Sequence, residues 1–461
     1  MTFNLLDPLA ALGRKELDRR RFFGIAGMGA GAMALAACGG PSTAAPSSGG
    51  GASAAASQDF SGVKPAKSIS FWSSHPGSSE DVENEIIKAF NASGAGIEVK
   101  LVTAGANYEE VAQKFQTAQT GGGLPDLVIF SDVWWFRYYM QKSILPLDGL
   151  LKTVQLDTSQ YREQLLADYQ YKGAQWAIPY ARSTPLFYYN KQHWKKAGLE
   201  DRAPKTWEEF AQWAPKLAAA GTGTQHAYQH PALADYAGWS FQNLLWGYGG
   251  GWSKEWDIIC DSAESVAAIQ FLQDSVYKDK WAGVSSKSAT DDMAAGAASA
   301  TIGSTGSLVG VQKAAKFEVG VGFLPGGPKA ATKVCPTGGA GIGIPISIPK
   351  ENQLAAATFL KFLTSPENAV KFSRATGYMP VRKDADTAAL IKANPLSQTA
   401  IDQLAVTRTQ DNARVFIPGA DQEIAKSCAA VLTQQKPVKD TMAALKTTLQ
   451  GMFDKQVKPN L

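Results

Sequence analysis

The chain has 461 residues, 45% apolar and 19% charged, the make-up of an ordinary globular protein long enough for two or three compact units. Its 45 basic and 41 acidic residues leave a formal charge of +4, too little for the concentrated positive face that nucleic-acid binding needs, so no nucleic-acid partner is expected. Four cysteines, none in a C-x-x-C pair, and four histidines argue against a disulfide scaffold and against zinc, iron-sulfur or His-rich metal centres, so no metal or cofactor is expected.

The chain opens with an address. Residues Asp18-Arg19-Arg20-Arg21-Phe22-Phe23 form a charged segment, and an uncharged Gly/Ala-rich stretch over 24–37 follows. That stretch is too short and too weakly apolar for a lasting membrane span, which needs about 20 apolar residues. Arg19-Arg20 ahead of Phe22 resembles a twin-arginine export signal. Leu35-Ala36-Ala37-Cys38-Gly39 resembles the lipobox of bacterial lipoproteins, which implies a signal peptide over 1–37, lipidation at Cys38 and a place on the outer face of the cytoplasmic membrane. Residues 40–57 hold only Gly, Ser, Ala, Thr and Pro, so 38–66 is predicted as a lipidated Cys and flexible tether. Removing 1–37 takes away five bases and three acids and leaves a formal charge of +2.

From residue 67 onward, strand and helix patterns alternate. A short strand at Ser68-Ile-Ser-Phe-Trp72 precedes a helix over 80–91, a strand over 97–102 and a helix over 108–120 that the Gly121-Gly122-Gly123 run stops. Leu124 to Phe130 is apolar without alternation, the pattern of a strand buried on both faces. Such alternation predicts a parallel α/β sheet whose ligand edge lies at the strand carboxyl ends, where Ser131 and Asp132 fall. A second alternating run starts after Pro185, with a strand over 186–189, a helix over 191–197 and a helix capped near Thr206 that places Trp207, Phe210 and Trp213 on one face. Further helices are predicted over 262–278, 351–363 and 367–376, and the strand-like pieces 318–324 and 341–346 read as strands that rejoin an earlier sheet. Two lobes sharing several crossings would enclose a cleft, a preferred place for a small molecule. Of Cys260, Cys335 and Cys428 at most one pair can form, and an exported chain permits one.

The strings Ser183-Thr-Pro-Leu-Phe-Tyr-Tyr-Asn-Lys191, Lys205-Thr-Trp207, Gly303-Ser-Thr-Gly-Ser-Leu308, Gly338-Gly-Ala340 and Thr376-Gly-Tyr-Met-Pro380 occur in an order and spacing that resembles the extracytoplasmic solute-binding proteins of ABC importers. Within that group they are similar to the glycerol-3-phosphate and glycerophosphodiester receptors of the Ugp system. The resemblance runs from about residue 69 to about 432. It implies a two-lobed periplasmic-binding-protein fold like that of maltose-binding protein, with 67–180 and 337–375 in one lobe and 181–336 and 376–461 in the other, closing by hinge motion. It also implies an ABC permease partner, a monomer and no catalysis. The family's phosphate ligands fall on Ser183, Ser304, the Gly339 amide, Tyr378 and Arg414, and its glycerol side on Tyr108 and Asp132, with Tyr236 and Trp239 where some members carry two tryptophans. Where some members carry Glu, Asp132 is shorter, and Tyr236 is slimmer than Trp; both leave room beyond the phosphate and suit a diester with a headgroup.

Physical chemistry gives the same residues a consistent role. Hydroxyls, backbone N–H groups of Gly-rich turns and one guanidinium can cage a phosphate with no catalytic group. No Gly-Lys-Ser/Thr follows the Gly-Ser-Thr-Gly-Ser turn, so it is not a nucleotide P-loop. A lone guanidinium suits a singly charged diester better than a dianionic monoester. Two rival functions remain: a neutral-sugar receptor on the same fold, for which Trp stacking platforms would serve, and a secreted glycerophosphodiester phosphodiesterase, for which the expected metal-binding cluster is missing from the sequence. His226 and His230 stand at i, i+4, but Gly221 to Gly223 and Pro231 around them predict a loop. The run Trp134, Trp135, Phe136, Tyr138 and Tyr139 is expected to pack in the core, with Trp134 near enough to Asp132 to reach a ligand.

Overall fold

Helix starts in this chain are set by short polar side chains that accept the amide hydrogens a helix cannot satisfy itself. Asn107 accepts from the Glu110 amide at 3.0 Å while Glu110 Oε2 reaches back to the Ala106 amide at 2.8 Å, and the helix Tyr108–Gly121 begins there. Thr206 does the same for Trp207–Ala219, whose buried face is Trp207, Phe210, Trp213, Ala214 and Leu217, as the spacing predicted. The computed structural model describes residues 59–74, 78–234 and 236–461; the predicted signal peptide, Cys38 and most of the tether lie outside the described residues.

Two five-stranded sheets organise the described residues. In the first, the strand order is Glu98–Thr103, Ser68–Ser73, Leu127–Ser131, Gly338–Gly343, Ile178–Ser183. The first three run parallel, and Gly338–Gly343 lies antiparallel between Leu127–Ser131 and Ile178–Ser183, so Ile178–Ser183 runs with the parallel set. The second sheet has the order Ala282–Val284, His226–His230, Ala298–Ser304, Pro185–Asn190, Val319–Gly322. The two late pieces do rejoin earlier strands, the one at the edge of the second sheet and the other inside the first. Helices cover the sheets: Ser78–Asn91 buries Val82, Ile86, Ile87 and Phe90, and Phe90 meets Phe359 of the helix Lys350–Leu363 with ring centroids 5.0 Å apart.

Thr184, fully buried, is all that separates the last residue of one sheet, Ser183, from the first of the other, Pro185. Its carbonyl accepts from the Thr305 amide at 2.9 Å, and its hydroxyl accepts from Gln403 at 3.1 Å. Nearby, Met379 donates its amide to the Arg182 carbonyl at 2.9 Å, so the chain after the helix Pro366–Thr376 also passes this point.

One expectation is corrected, and one question that the sequence leaves open is answered. His226 to His230 is not a loop but an inner strand of the second sheet; the flanking glycines and Pro231 bracket it. His230 shares a 2.9 Å hydrogen bond with Ser275 Oγ, and burial pushes its pKa down to about 3. The cysteine pair that the sequence permitted does not form: Cys260, Cys335 and Cys428 are buried free thiols.

Candidate functional site

A cavity of about 280 Å³ opens where the two sheets meet. All nine residues singled out from the sequence line it: Tyr108, Asp132, Ser183, Tyr236, Trp239, Ser304, Gly339, Tyr378 and Arg414. They arrive from separate elements, and in each case the local backbone explains the placement.

One wall is the edge of the first sheet. Ser74 follows the strand Ser68–Ser73, Ser131 and Asp132 end Leu127–Ser131, and Ser183 ends Ile178–Ser183, so these parallel strands all present their carboxyl ends. Gly339 sits at the start of the antiparallel strand and therefore at the same edge; its carbonyl accepts from the Asp132 amide at 3.1 Å. At φ +99°, Gly339 has a backbone that a side chain would strain, and an added Cβ would stand 2.1 Å from the Ala181 carbonyl oxygen. Gly338 is needed for a different reason: a Cβ there would strike the Trp239 indole at 2.5 Å, and that indole donates to the Thr337 carbonyl at 3.0 Å.

The facing wall comes from the second sheet and the chain beyond it. Ser304 ends Ala298–Ser304, and its Oγ accepts from the Gly306 amide at 3.0 Å. Two amides of this Gly-rich turn are thus already engaged, Gly306 by Ser304 Oγ and Thr305 by the Thr184 carbonyl at 2.9 Å. Gly306 also makes room for the Tyr378 ring, which an added Cβ would meet at 2.7 Å. Gly377, in the left-handed region at φ +98°, closes the helix Pro366–Thr376 and turns Tyr378 toward Tyr108, hydroxyl to hydroxyl at 3.3 Å. Tyr236 caps the helix Ala237–Gly247 with φ +61°, a conformation that costs a non-glycine residue about 1 kcal/mol.

Arg414, 1% exposed, lies on the short helix Asn412–Val415. Its Nε donates to Asp421 Oδ1 at 2.8 Å and Nη2 to Oδ2 at 3.3 Å, while Nη1 donates to Gln410 Oε1 and stands 3.6 Å from Asp132 Oδ1. Gln410 in turn donates to Asp132 Oδ2. Burial raises the Asp132 pKa above the usual carboxylate range, and the Arg414 and Arg182 guanidinium groups pull against it. Behind this wall Arg182, fully buried, pairs with Asp168 and donates to the Tyr169 hydroxyl at 2.7 Å. Burial pushes Asp168 up to about 6 despite that pairing. Both cations are therefore matched by carboxylates, and the cavity offers directed donors more than net positive charge.

Sequence reading missed Ser74 and Asn107 on the cavity lining, and it missed Gln410 and Asp421, which orient Arg414. It placed Ser131 at the ligand edge but gave it no contact, although Ser131 also lines the cavity. A lone Gln or Asp in an irregular segment has no periodicity to mark it. The strand-end rule that picked out Asp132 also covers Ser74. The aromatic run packs away from the cavity: Trp135, Phe136 and Tyr138 are buried in the core, and Trp134 stacks on Tyr138 at 6.2 Å. No group of three His, Cys, Asp or Glu that could hold a metal ion occurs among the described residues.

Residues 85–399 match the model of the bacterial extracellular solute-binding proteins. The chain belongs to that family. As a bacterial extracellular solute-binding protein it is an exported α/β protein of two lobes. It is 30% identical over 331 residues to the sn-glycerol-3-phosphate-binding periplasmic protein UgpB of Escherichia coli K12, spanning 69% of this chain and 75% of that one. The crystal structure of Mycobacterium tuberculosis UgpB in complex with glycerophosphocholine is similar at 41% identity and a TM-score of 0.81, covering 86% of this chain and 100% of the other. Maltose-bound MalE3 of T. maritima shares the fold, with a TM-score of 0.75 at 24% identity over 84% of this chain and 99% of the other.

Proposed function

We propose that the protein captures a glycerophosphodiester, or sn-glycerol 3-phosphate, between its lobes and hands it unaltered to an ABC permease. What supports this most is the convergence of nine residues, marked out by motif alone, on one cavity at the meeting of the two sheets. In this reading Ser183, Ser304, the Gly339 amide, Tyr378 and Arg414 cradle the phosphate. Tyr108, Asp132, Tyr236 and Trp239 take the remainder. The carboxylates on either side of Arg414 favour a singly charged diester over a dianionic monoester. The similarity to a UgpB solved with glycerophosphocholine agrees with that choice.

The same reading includes export by the twin-arginine route, anchoring through lipid on Cys38, a tether that starts at 38 and whose predicted end, 59–66, instead packs on the protein through buried Phe60 and the Ala66 amide, 2.9 Å from the Glu351 carbonyl, hinge closure of lobes bounded as 67–180 with 337–375 and 181–336 with 376–461, and a monomer that does no chemistry. Titration calorimetry tests the ligand: heat with glycerophosphocholine, less affinity for glycerol 3-phosphate and no heat with maltose is the expected result. Binding of maltose alone would overturn the reading in favour of the sugar receptor. Release of choline or glycerol 3-phosphate on incubation with divalent metal would instead favour the phosphodiesterase.

A further inference from the structure

The edge of the first sheet carries more polar groups than the cradle uses. In sheet order it presents Ser74, then Ser131 with Asp132, then Gly339, then Ser183, each step being one strand spacing of about 4.8 Å. Ser183 and Gly339 belong to the phosphate end in the reading above, on which the present argument rests. Ser131 lies about 10 Å from Ser183, two strands along, too far to share the same phosphate oxygens. Ser74 is one strand further out.

Ser131 is 2% exposed, and its Oγ is buried with no hydrogen-bond partner. Other buried side-chain atoms lack partners, among them Thr305 Oγ1 and Ser373 Oγ, but Ser131 is the one such residue that lines the cavity, among the described residues. A buried hydroxyl left unpaired is costly, and native chains keep one where something else pairs with it. Turning about a single bond is enough to aim a serine hydroxyl at a new partner. Next to it stands Asp132, acceptor-rich and already bonded to Gln410, with Ser74, 4% exposed, on the other side. A hydroxyl, which both donates and accepts, is the group that fits between a serine and a carboxylate; a quaternary ammonium can bond to neither in that way.

We propose that Ser131, with Ser74 beside it, is a hydroxyl subsite that takes a hydroxyl group of the ligand's polyol part beyond the phosphate. The test compares wild type, Ser131→Ala and Ser74→Ala by calorimetry with two probes that share the phosphodiester and headgroup: sn-glycero-3-phosphocholine and propyl phosphocholine, which lacks the glycerol hydroxyls. Expected is a loss of about tenfold, equivalent to about 1.4 kcal/mol, for glycerophosphocholine in Ser131→Ala and a smaller loss in Ser74→Ala, with no change for propyl phosphocholine. The unliganded melting temperature should hold or rise, since truncation removes an unpaired polar group. A structural role would instead lower the melting temperature and weaken both probes alike, and that result, or unchanged affinity, overturns the subsite. If wild type binds neither probe, the phosphodiester reading itself fails. Should Ser131→Ala not fold, Ser74→Ala alone decides between selective and uniform loss.

Discussion

Three of the nitrogens of Arg414 are tied down before any ligand arrives, Nε and Nη2 by Asp421 and Nη1 by Gln410. What the residue offers is a direction as much as a charge. Lysine keeps the charge but cannot make the fork on Asp421, so Arg414→Lys is expected to weaken glycerophosphocholine binding about tenfold and Arg414→Ala by about two powers of ten, measured by calorimetry. Equal affinity in Arg414→Ala would mean that the guanidinium faces no ligand. At this scale the sequence was informative where a residue sits in a motif. Ser304 and Gly339 stand inside short strings whose order carries meaning, whereas Gln410 and Asp421 act only through Arg414 and leave no mark in the pattern of residue types.

Glu83 shows how an element can carry a pH dependence. It lies in the early part of the helix Ser78–Asn91, fully buried, where its Oε1 accepts from Ser73 Oγ at 3.0 Å and from the Tyr180 hydroxyl at 3.2 Å. Burial outweighs both bonds and pushes its pKa up to about 8 from 4.5. The folded protein thus keeps a proton that the unfolded chain gives up earlier, so the stability attributable to Glu83 is fullest below about pH 4.5 and falls as pH rises toward about 8. Glu83→Gln removes this slope: the variant should gain melting temperature over wild type at pH 8.5 and not at pH 4, and parallel pH curves would rule the assignment out. Among the elements, amphipathic helices and apolar strands were readable because burial follows periodicity. The strands Ile178–Ser183 and Ala298–Ser304 were not, for reasons visible in their residues. Arg182 points a charge into the interior and is accommodated by Asp168 and Tyr169, distant partners that no local pattern reveals, and in Ala298 to Ser304 only Thr301 and Ile302 favour a strand, the other five residues being Ala, Ser or Gly.

For the molecule as a whole, ligand binding and stability are one quantity. A ligand that binds only the folded form at a hundred times its Kd adds about 2.7 kcal/mol of stability. Glycerophosphocholine at such excess should raise the melting temperature by a few degrees in thermal unfolding, while maltose at the same concentration should leave it unmoved; a shift with maltose alone would point to the wrong ligand class. The two-lobed architecture was legible because alternation and motif order both survive in the sequence, and the meeting point of the sheets was not, since it depends on single residues such as Thr184 and on contacts far apart in the chain.

That meeting point has a mechanical meaning. Ser183 is one residue from Thr184, and Ser304 pairs with Pro185 on its other side, so both stand almost on the axle about which the leaves of the clamshell would swing. A force applied at an axle exerts little torque. On the proposed reading, a ligand gripped by these two serines would be anchored without deciding the angle of the jaws, and leverage over that angle would belong to groups held further out.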